Sequence, residues 1–322
     1  MTKTLDIAIV TYNRLEKLKK ALLHYEQQTS AFRNLIIVNN CSTDGTSEFL
    51  KEYCSQEHYK FQTVLINTDE NLGGSGGFYL GQKKALELNA DWVMVADDDA
   101  YAAPDMVEQF YKYVDTHKVN TTAAICAVVV NNDGSICTHH RSHCNITALS
   151  NSWIYQEKKI VDTNIDEYLQ DSFLIDITTY VGTFLNAKAL KKIGLVNPNY
   201  FIYYDDFEHS LRLKKYGRII IVSSIKITHD NISINTENTD NIITWREFYI
   251  KRNEAHMLLH HYPRVILKDY FFLFHCILGA WIHKTKLNIY EEINRKAKLD
   301  ALFGRLGKHK IYKPGWCIKI DE

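Results

Sequence analysis

Three consecutive aspartates, Asp97-Asp98-Asp99, close the run DWVMVADDDA. At the end of a buried strand, three carboxylates repel one another unless a cation sits among them. Oxygen ligands of this kind suit Mg²⁺ or Mn²⁺, hard ions that also hold diphosphates. The same residues also fit a plainer role, an acidic turn ahead of the helix that starts near Pro104. A second stretch, Asn71-Leu-Gly-Gly-Ser-Gly-Gly-Phe-Tyr-Leu-Gly81, holds five glycines in eleven residues. A glycine-rich turn from strand into helix is a natural phosphate cradle. Two familiar cradles are excluded. The dinucleotide spacing fails at Tyr79, and the P-loop ending fails because Phe78 follows Gly77.

These residues need a frame. LDIAIV (5–10) and LIIVNN (35–40) read as buried parallel strands. A helix over Arg14 to Gln28 lies between them, and SEFLKEY forms a second helix behind Ser42-Thr43-Asp44. FQTVLI gives a third strand, followed by the glycine loop and the helix QKKALELNA; DWVMVADDDA gives a fourth strand. Such alternation implies an α/β fold with a mostly parallel sheet covered on both faces. Ligands then bind beyond the carboxyl ends of the strands. Thr11–Arg14, Asn39–Thr43, Asn71–Gly77 and Asp97–Asp99 all lie at such ends and are expected to converge. Further on, TAAICAVVV is a strand, NNDG a tight turn, Asp205 to Tyr216 a polar helix, and RIIIVSSIKITHD a strand ending at His229. From about residue 240 the chain reads as helical. The expected division is 1–235 for the α/β part, with halves 1–100 and 101–235, and 236–322 for a helical C-terminal region.

With 322 residues, one large domain and a smaller appendage are expected. Thirty-eight basic and thirty-eight acidic residues leave no global field and exclude a general nucleic-acid binder. The tail from His283 is locally basic, with ten Lys/Arg against five Asp/Glu. MTKTLDIAIVTYN shows no signal-peptide h-region, and seven cysteines without a CxxC pair fit a reduced, cytoplasmic compartment. The longest apolar block, YFFLFHCILGAWI (270–282), has thirteen residues. A spanning helix needs roughly 20, so no crossing is expected.

Taken together, IVTYNR, VNNCSTDGT, NLGGSGGF, ADDDA, FIYYDDFEHSLRL and ITHD resemble the family-2 inverting glycosyltransferases of the GT-A fold. The resemblance runs from residue 5 to about 230, in the family's order. NLGGSGGF with FIYYDDFEHSLR is similar to the branch of bacterial galactofuranosyltransferases and rhamnosyltransferases, and DDDA with YYDD to the galactofuranosyltransferases. The resemblance implies that Thr11, Asn13 and Arg14 line the nucleotide, with Arg14 near its phosphates. Asn39 stands where many relatives carry an aspartate that accepts the base's imide N–H, which leaves uracil against thymine open. Asn71 and Gly74 would lie against the sugar nucleotide. Asp97, Asp99 and His229 would bind Mn²⁺ or Mg²⁺, and Asp98 would contact sugar or ribose. Asp206 would be the base that deprotonates the acceptor hydroxyl, with Asp205 orienting the acceptor and Tyr204 and Glu208 as acceptor contacts. Both aspartates also fit the acidic first turn of a helix.

The function so implied is transfer of galactofuranose from UDP-galactofuranose to a lipid-linked bacterial surface glycan. A dTDP-rhamnose-dependent rhamnosyltransferase, a non-catalytic sugar-nucleotide-binding protein and a nucleotidyltransferase are the rivals. The last lacks the expected glycine-rich N-terminal loop. Cys137-Thr-His-His-Arg-Ser-His-Cys144 matches no common zinc spacing, and an acceptor-groove border is the other reading. Trp153 and Tyr155 suit sugar stacking or core packing, and His260-His261 has no carboxylate partner in sequence. Residues 262–287 fit an interfacial helix on an anionic leaflet, the inner face of the cell membrane, or else an oligomer interface or a core helix.

Overall fold

The computed structural model describes residues 3–148, 156–230, 242–283 and 287–319. Four strands, β1 (Leu5–Thr11), β2 (Asn34–Asn39), β3 (Gln62–Asn67) and β4 (Trp92–Asp97), run parallel in the order β3-β2-β1-β4. Helices α1 (Leu15–Glu26), α2 (Thr46–Tyr53) and α3 (Gly73–Glu87) connect them. β1, β2 and β4 are mostly apolar and buried because both sheet faces are covered there, whereas β3, at the edge of the sheet, is only partly buried. Leu5, Ile7 and Ile9 join one core, whereas Ala8 and Val10 join the other. That period of two repeats in β2 and β4.

The chain continues through β5 (Ala100–Ala102), α4 (Met106–Thr116), β6 (Thr122–Val130), β7 (Arg141–Ala148), β8 (Gln156–Asp162), β9 (Ser172–Ile175), β10 (Ile177–Thr178) and β11 (Thr183–Asn186). Then come α5 (Ala187–Ile193), α6 (Asp205–Tyr216) and β12 (Arg218–His229). β11 inserts antiparallel between β4 and β6, and β12 lies parallel to β6. The sheet is therefore mixed, with its parallel half at the start of the chain.

The last elements are β13 (Ile242–Thr244), α7 (Trp245–His261), α8 (Pro263–His283), α9 (Ile289–Leu302) and β14 (Cys317–Lys319). Two compact units result: Met1–His143 with Val161–Pro198 and Asp206–Ile234, and Cys144–Ile160 with Asn199–Asp205 and Asn235–Glu322. In the second unit Phe248, Tyr249, Ile293, Ala297 and Tyr312 make the core. α8 corrects the length estimate made from the apolar block alone. The helix runs through Lys268 and Asp269 to 21 residues, and Pro263–Ile282 is long and apolar enough to cross a membrane by length and composition. Val265, Ile266 and Leu273 are buried, while most of the remaining apolar side chains are exposed.

All seven cysteines are free thiols.

Candidate active site

Sheet register gathers the strand ends. Val10 stands opposite Asp97, and Thr11 opposite Asn39. β5 then pairs antiparallel with β12, setting His229 opposite Ala100. The imidazole thereby meets the triplet: His229 Nε2 lies 3.3 Å from Asp99 Oδ1. The Asp230 amide donates to Asp99 O at 2.9 Å and locks the pairing.

The three carboxylates have different surroundings. Asp98 accepts Thr11 Oγ1 at 2.8 Å and Arg14 Nη1 at 3.3 Å. Asp99 takes Arg14 Nη1 at 2.7 Å and Lys17 Nζ at 3.4 Å. No donor among the described residues hydrogen-bonds the Asp97 carboxylate. Burial, then the charge of Asp99, pushes Asp97 up to about 7. Burial pushes Asp98 up to about 6 against the pull of Arg14. Burial works on Asp99 in the same sense, but His229, Arg14 and Lys17 hold it down to about 2.

One oxygen or nitrogen from each of Asp97, Asp99 and His229 comes within 4.8 Å of the others. Two carboxylates and one imidazole are a donor set for Mn²⁺ or Mg²⁺. The undonated, half-buried Asp97 supports the fit of this set to a cation: an acid so placed is held at a cost unless positive charge or a proton joins it.

Hydrogen bonds tie the neighbouring loops together. Asn13, at φ 52°, accepts the Thr43 N–H on Oδ1 at 2.7 Å. Asn40 Nδ2 donates to Asn71 Oδ1 at 3.2 Å, and Asn71 Oδ1 accepts the Gly73 N–H at 2.8 Å. Asn39 is buried; its amide donates to Ser47 and Asn67, and its carbonyl accepts Ser42 N–H at 3.2 Å. The expected glycine loop is a helix. α3 starts at Gly73, and its glycines serve close packing: a Cβ on Gly77 would lie 2.4 Å from Val10 Cγ1, and one on Gly81 would lie 2.8 Å from Ala8 Cβ. Around Gly74 there is open space, so of the stretch's glycines this one faces outward at the first turn.

Asp206 lies in the first turn of α6, and its Oδ1 accepts the Phe207 N–H at 2.8 Å. Its charge acts on Arg141, whose guanidinium is fully buried and donates to the carbonyls of Ala127, His140 and Val181. Glu208 is held bidentate by Arg212. Just before α6, Phe201, Tyr203 and Tyr204 all have φ between 63° and 68°. Left-handed backbone at bulky residues is strained. Asn253 Nδ2 donates to the carbonyls of Tyr200, Ile202 and Tyr203 and holds it in place.

The cysteine–histidine run gathers more tightly than its spacing suggests. Cys137, His139 and His140 offer donors within 4.8 Å of one another. Both His140 nitrogens are engaged elsewhere, however, with Thr179 and His229, and His143 turns to Glu167 at 3.0 Å. His260 Nδ1 meets His256 O. Trp153 and Tyr155 lie outside the described residues. Lys17 and Thr179 were not singled out from the sequence, whereas His140 and Arg141 stood in the Cys137–Cys144 run with no link to His229 or Asp206 assigned to them. Lys17 alone had a local signal, being three residues after Arg14 and so on the same helix face.

A mostly parallel sheet whose strand ends gather carboxylates and an imidazole is the layout of a GT-A glycosyltransferase. The chain belongs to glycosyl transferase family 2, whose sequence model matches residues 6–192. Galactofuranosyltransferase GlfT1 of Mycobacterium tuberculosis is 37% identical over 103 residues, 32% of either chain, so the match spans about a third of that relative. The dTDP-rhamnosyl transferase RfbF of Shigella flexneri is 25% identical over 317 residues, 95% of this chain and 98% of that one. The crystal structure of S. aureus TarS 1-349 in complex with UDP-GlcNAc superposes with TM-score 0.54 and 15% identity, covering 93% of this chain and 79% of the other. At that identity the likeness concerns the fold.

Proposed function

We propose that the protein transfers galactofuranose from UDP-galactofuranose to a hydroxyl of a lipid-linked glycan, with inversion and with a divalent cation. The observation that carries this reading is the meeting of Asp97, Asp99 and His229 at the end of β4. A bound Mn²⁺ or Mg²⁺ supplies Lewis-acid neutralisation of the diphosphate leaving group. Arg14, half exposed at the same sheet edge, and Lys17 bring further positive charge to that place. Thr11 fixes Asp98, which in this reading contacts sugar or ribose. Asn13, Asn39 and Asn71 hold the loops around the nucleotide, and Gly74 leaves room beside it. Residues 1–100 bind the donor, and 101–235 the acceptor.

Asp206 accepts the proton of the acceptor hydroxyl as that oxygen attacks the anomeric carbon and the bond to the diphosphate breaks. The first-turn N–H groups of α6 and the buried Arg141 surround this carboxylate with positive potential. Asp206→Asn is expected to lower transfer on the order of 10²–10⁴-fold while donor binding, read by calorimetry, stays within error. Unchanged transfer removes Asp206 from the role.

The full-length match to a dTDP-rhamnosyl transferase supports a second donor, dTDP-rhamnose. Turnover of UDP-galactofuranose and of dTDP-rhamnose with Mn²⁺, compared directly, separates the two. The proposed location is the cytoplasmic face of the membrane, with contact through residues 262–287, of which 262–283 and 287 are described. The exposed Phe271, Phe272, Phe274 and Trp281 of α8, with Arg264 and Lys268 toward its start, support that contact.

A further inference from the structure

His229 takes part in a second set of contacts besides those at the triplet. Its Nδ1 lies 3.1 Å from His140 Nε2, and His140 Nδ1 lies 2.9 Å from Thr179 Oγ1. Arg141 Nη1 approaches the same hydroxyl at 3.4 Å. The Thr179 amide donates to His140 O at 3.1 Å, which keeps the hydroxyl beside the ring. Five groups thus form one line from Arg141 to Asp99, ending at the 3.3 Å contact of His229 Nε2 with Asp99 Oδ1.

A neutral imidazole carries one N–H and one lone pair, so each link dictates the next. Guanidinium only donates and carboxylate only accepts. With neutral rings and no cation, the line therefore runs one way. Arg141 donates to Thr179, Thr179 to His140 Nδ1, His140 Nε2–H to His229 Nδ1, and His229 Nε2–H to Asp99. A cation ligated at His229 Nε2 needs the lone pair there. His229 then carries its proton on Nδ1, His140 accepts it on Nε2 and carries its own on Nδ1, and Thr179 accepts.

We propose that His140 and Thr179 are positioning residues for the cation, forming a hydrogen-bond relay whose direction reverses when His229 takes the cation up. This rests on the cation reading of Asp97, Asp99 and His229. The proton count does not change: each ring carries one proton, on Nε2 before and on Nδ1 after, and the threonine hydroxyl turns. At position 179 a hydroxyl serves both directions, because it donates in one and accepts in the other. Metal-ligating histidines are commonly oriented by a partner on the second ring nitrogen; here that partner is itself an imidazole, which must switch tautomer too.

The test uses the full chain with ¹⁵N-labelled histidine and Mg²⁺, a diamagnetic probe. On saturation, the Nδ1 and Nε2 shifts of both His229 and His140 should exchange their N–H and lone-pair character. Binding without that exchange overturns the relay. Calorimetry with Mn²⁺ gives the second reading. Thr179→Ser should bind within about twofold of the parent, and Thr179→Val about 10-fold more weakly or worse. Equal binding by Thr179→Val overturns the relay even if His140→Leu does not fold. Asp99→Asn should abolish binding. If it binds as the parent does, the cation site itself fails and takes the relay with it, an outcome distinct from failure of the threonine series.

Discussion

At the carboxyl end of β4 three aspartates are largely withdrawn from water, whereas along α8 Phe272 and Trp281 stand 68% and 77% exposed. One region is polar where a protein is usually apolar, and the other is the reverse. Elsewhere in the first unit a buried polar group shows what a satisfied one looks like. His209 on α6 has no exposed surface, and its two nitrogens meet Tyr180 Oη at 2.6 Å and Gly194 O at 3.2 Å. Among the described residues Asp97 has no such donor, and much of α8 has no apolar cover. Each therefore calls for a partner of the kind its own surroundings lack, a cation in one case and an apolar phase in the other.

The largest effect should come from removing charge at the triplet. Asp97→Asn deletes a cation ligand and also relieves repulsion among three close carboxylates. Transfer should fall about 10³-fold, because several kcal/mol of leaving-group stabilisation is lost. The metal-free protein should meanwhile melt at a higher temperature. A variant that loses both activity and stability breaks the comparison, because Asp97 would then be an ordinary satisfied core residue. The other side is tested on α8. Flotation with phosphatidylglycerol-containing vesicles should drop roughly 100-fold in Phe272→Ser/Trp281→Ser, at about 1.4 kcal/mol for each exposed ring. Unchanged flotation, with a change of oligomeric state instead, assigns the face to a second copy of the chain.

His209 sharpens the contrast with a smaller effect. Burial drives its imidazole down to about 3, below the ordinary value of 6.5. The unfolded chain therefore takes up a proton that the folded one refuses. The resulting stability is fully present above pH 6.5 and is lost as pH falls from there toward 3. Between pH 7 and pH 5 the contribution lost is about 2 kcal/mol. Urea midpoints at the two pH values check this, and His209→Gln should flatten the slope by about one proton.

Much of this was legible in the sequence because burial on both faces leaves a dense signal. LDIAIV, LIIVNN and DWVMVAD could hardly be anything but central strands, and their ends had to share one edge of the sheet. β12 was expected to end at His229, and it does. What brings that histidine to Asp99 is the pairing of the three-residue β5 with β12, a contact between residues far apart in sequence with no local signal. The meeting of His140 with Thr179 was hidden for the same reason, since it depends on the β7–β10 register, in which Arg141 stands opposite Thr178. The length of α8 was underestimated because Lys268 and Asp269 end an apolar count without ending a helix.

The glycine stretch gives the most instructive misreading, and the smallest predicted effect. Five glycines look like a loop because glycine is a poor helix former, by about 1 kcal/mol against alanine. In α3 that penalty is outweighed by proximity: the helix axis comes so near β1 that a Cβ on Gly77 would sit 2.4 Å from Val10 Cγ1. Two opposed terms act in Gly77→Ala. Helix propensity gains about 1 kcal/mol, and overpacking against the sheet costs about 1–3 kcal/mol. Net destabilisation of about 1 kcal/mol is expected by urea unfolding, and Val10→Ala in the same chain should recover part of it, giving a coupling that a double-mutant cycle reads directly. Gly74→Ala meets nothing within 4 Å, so its stability should hold. If it also leaves donor affinity untouched, the outward face of the first turn has no ligand beside it, and glycine is there for the sheet alone.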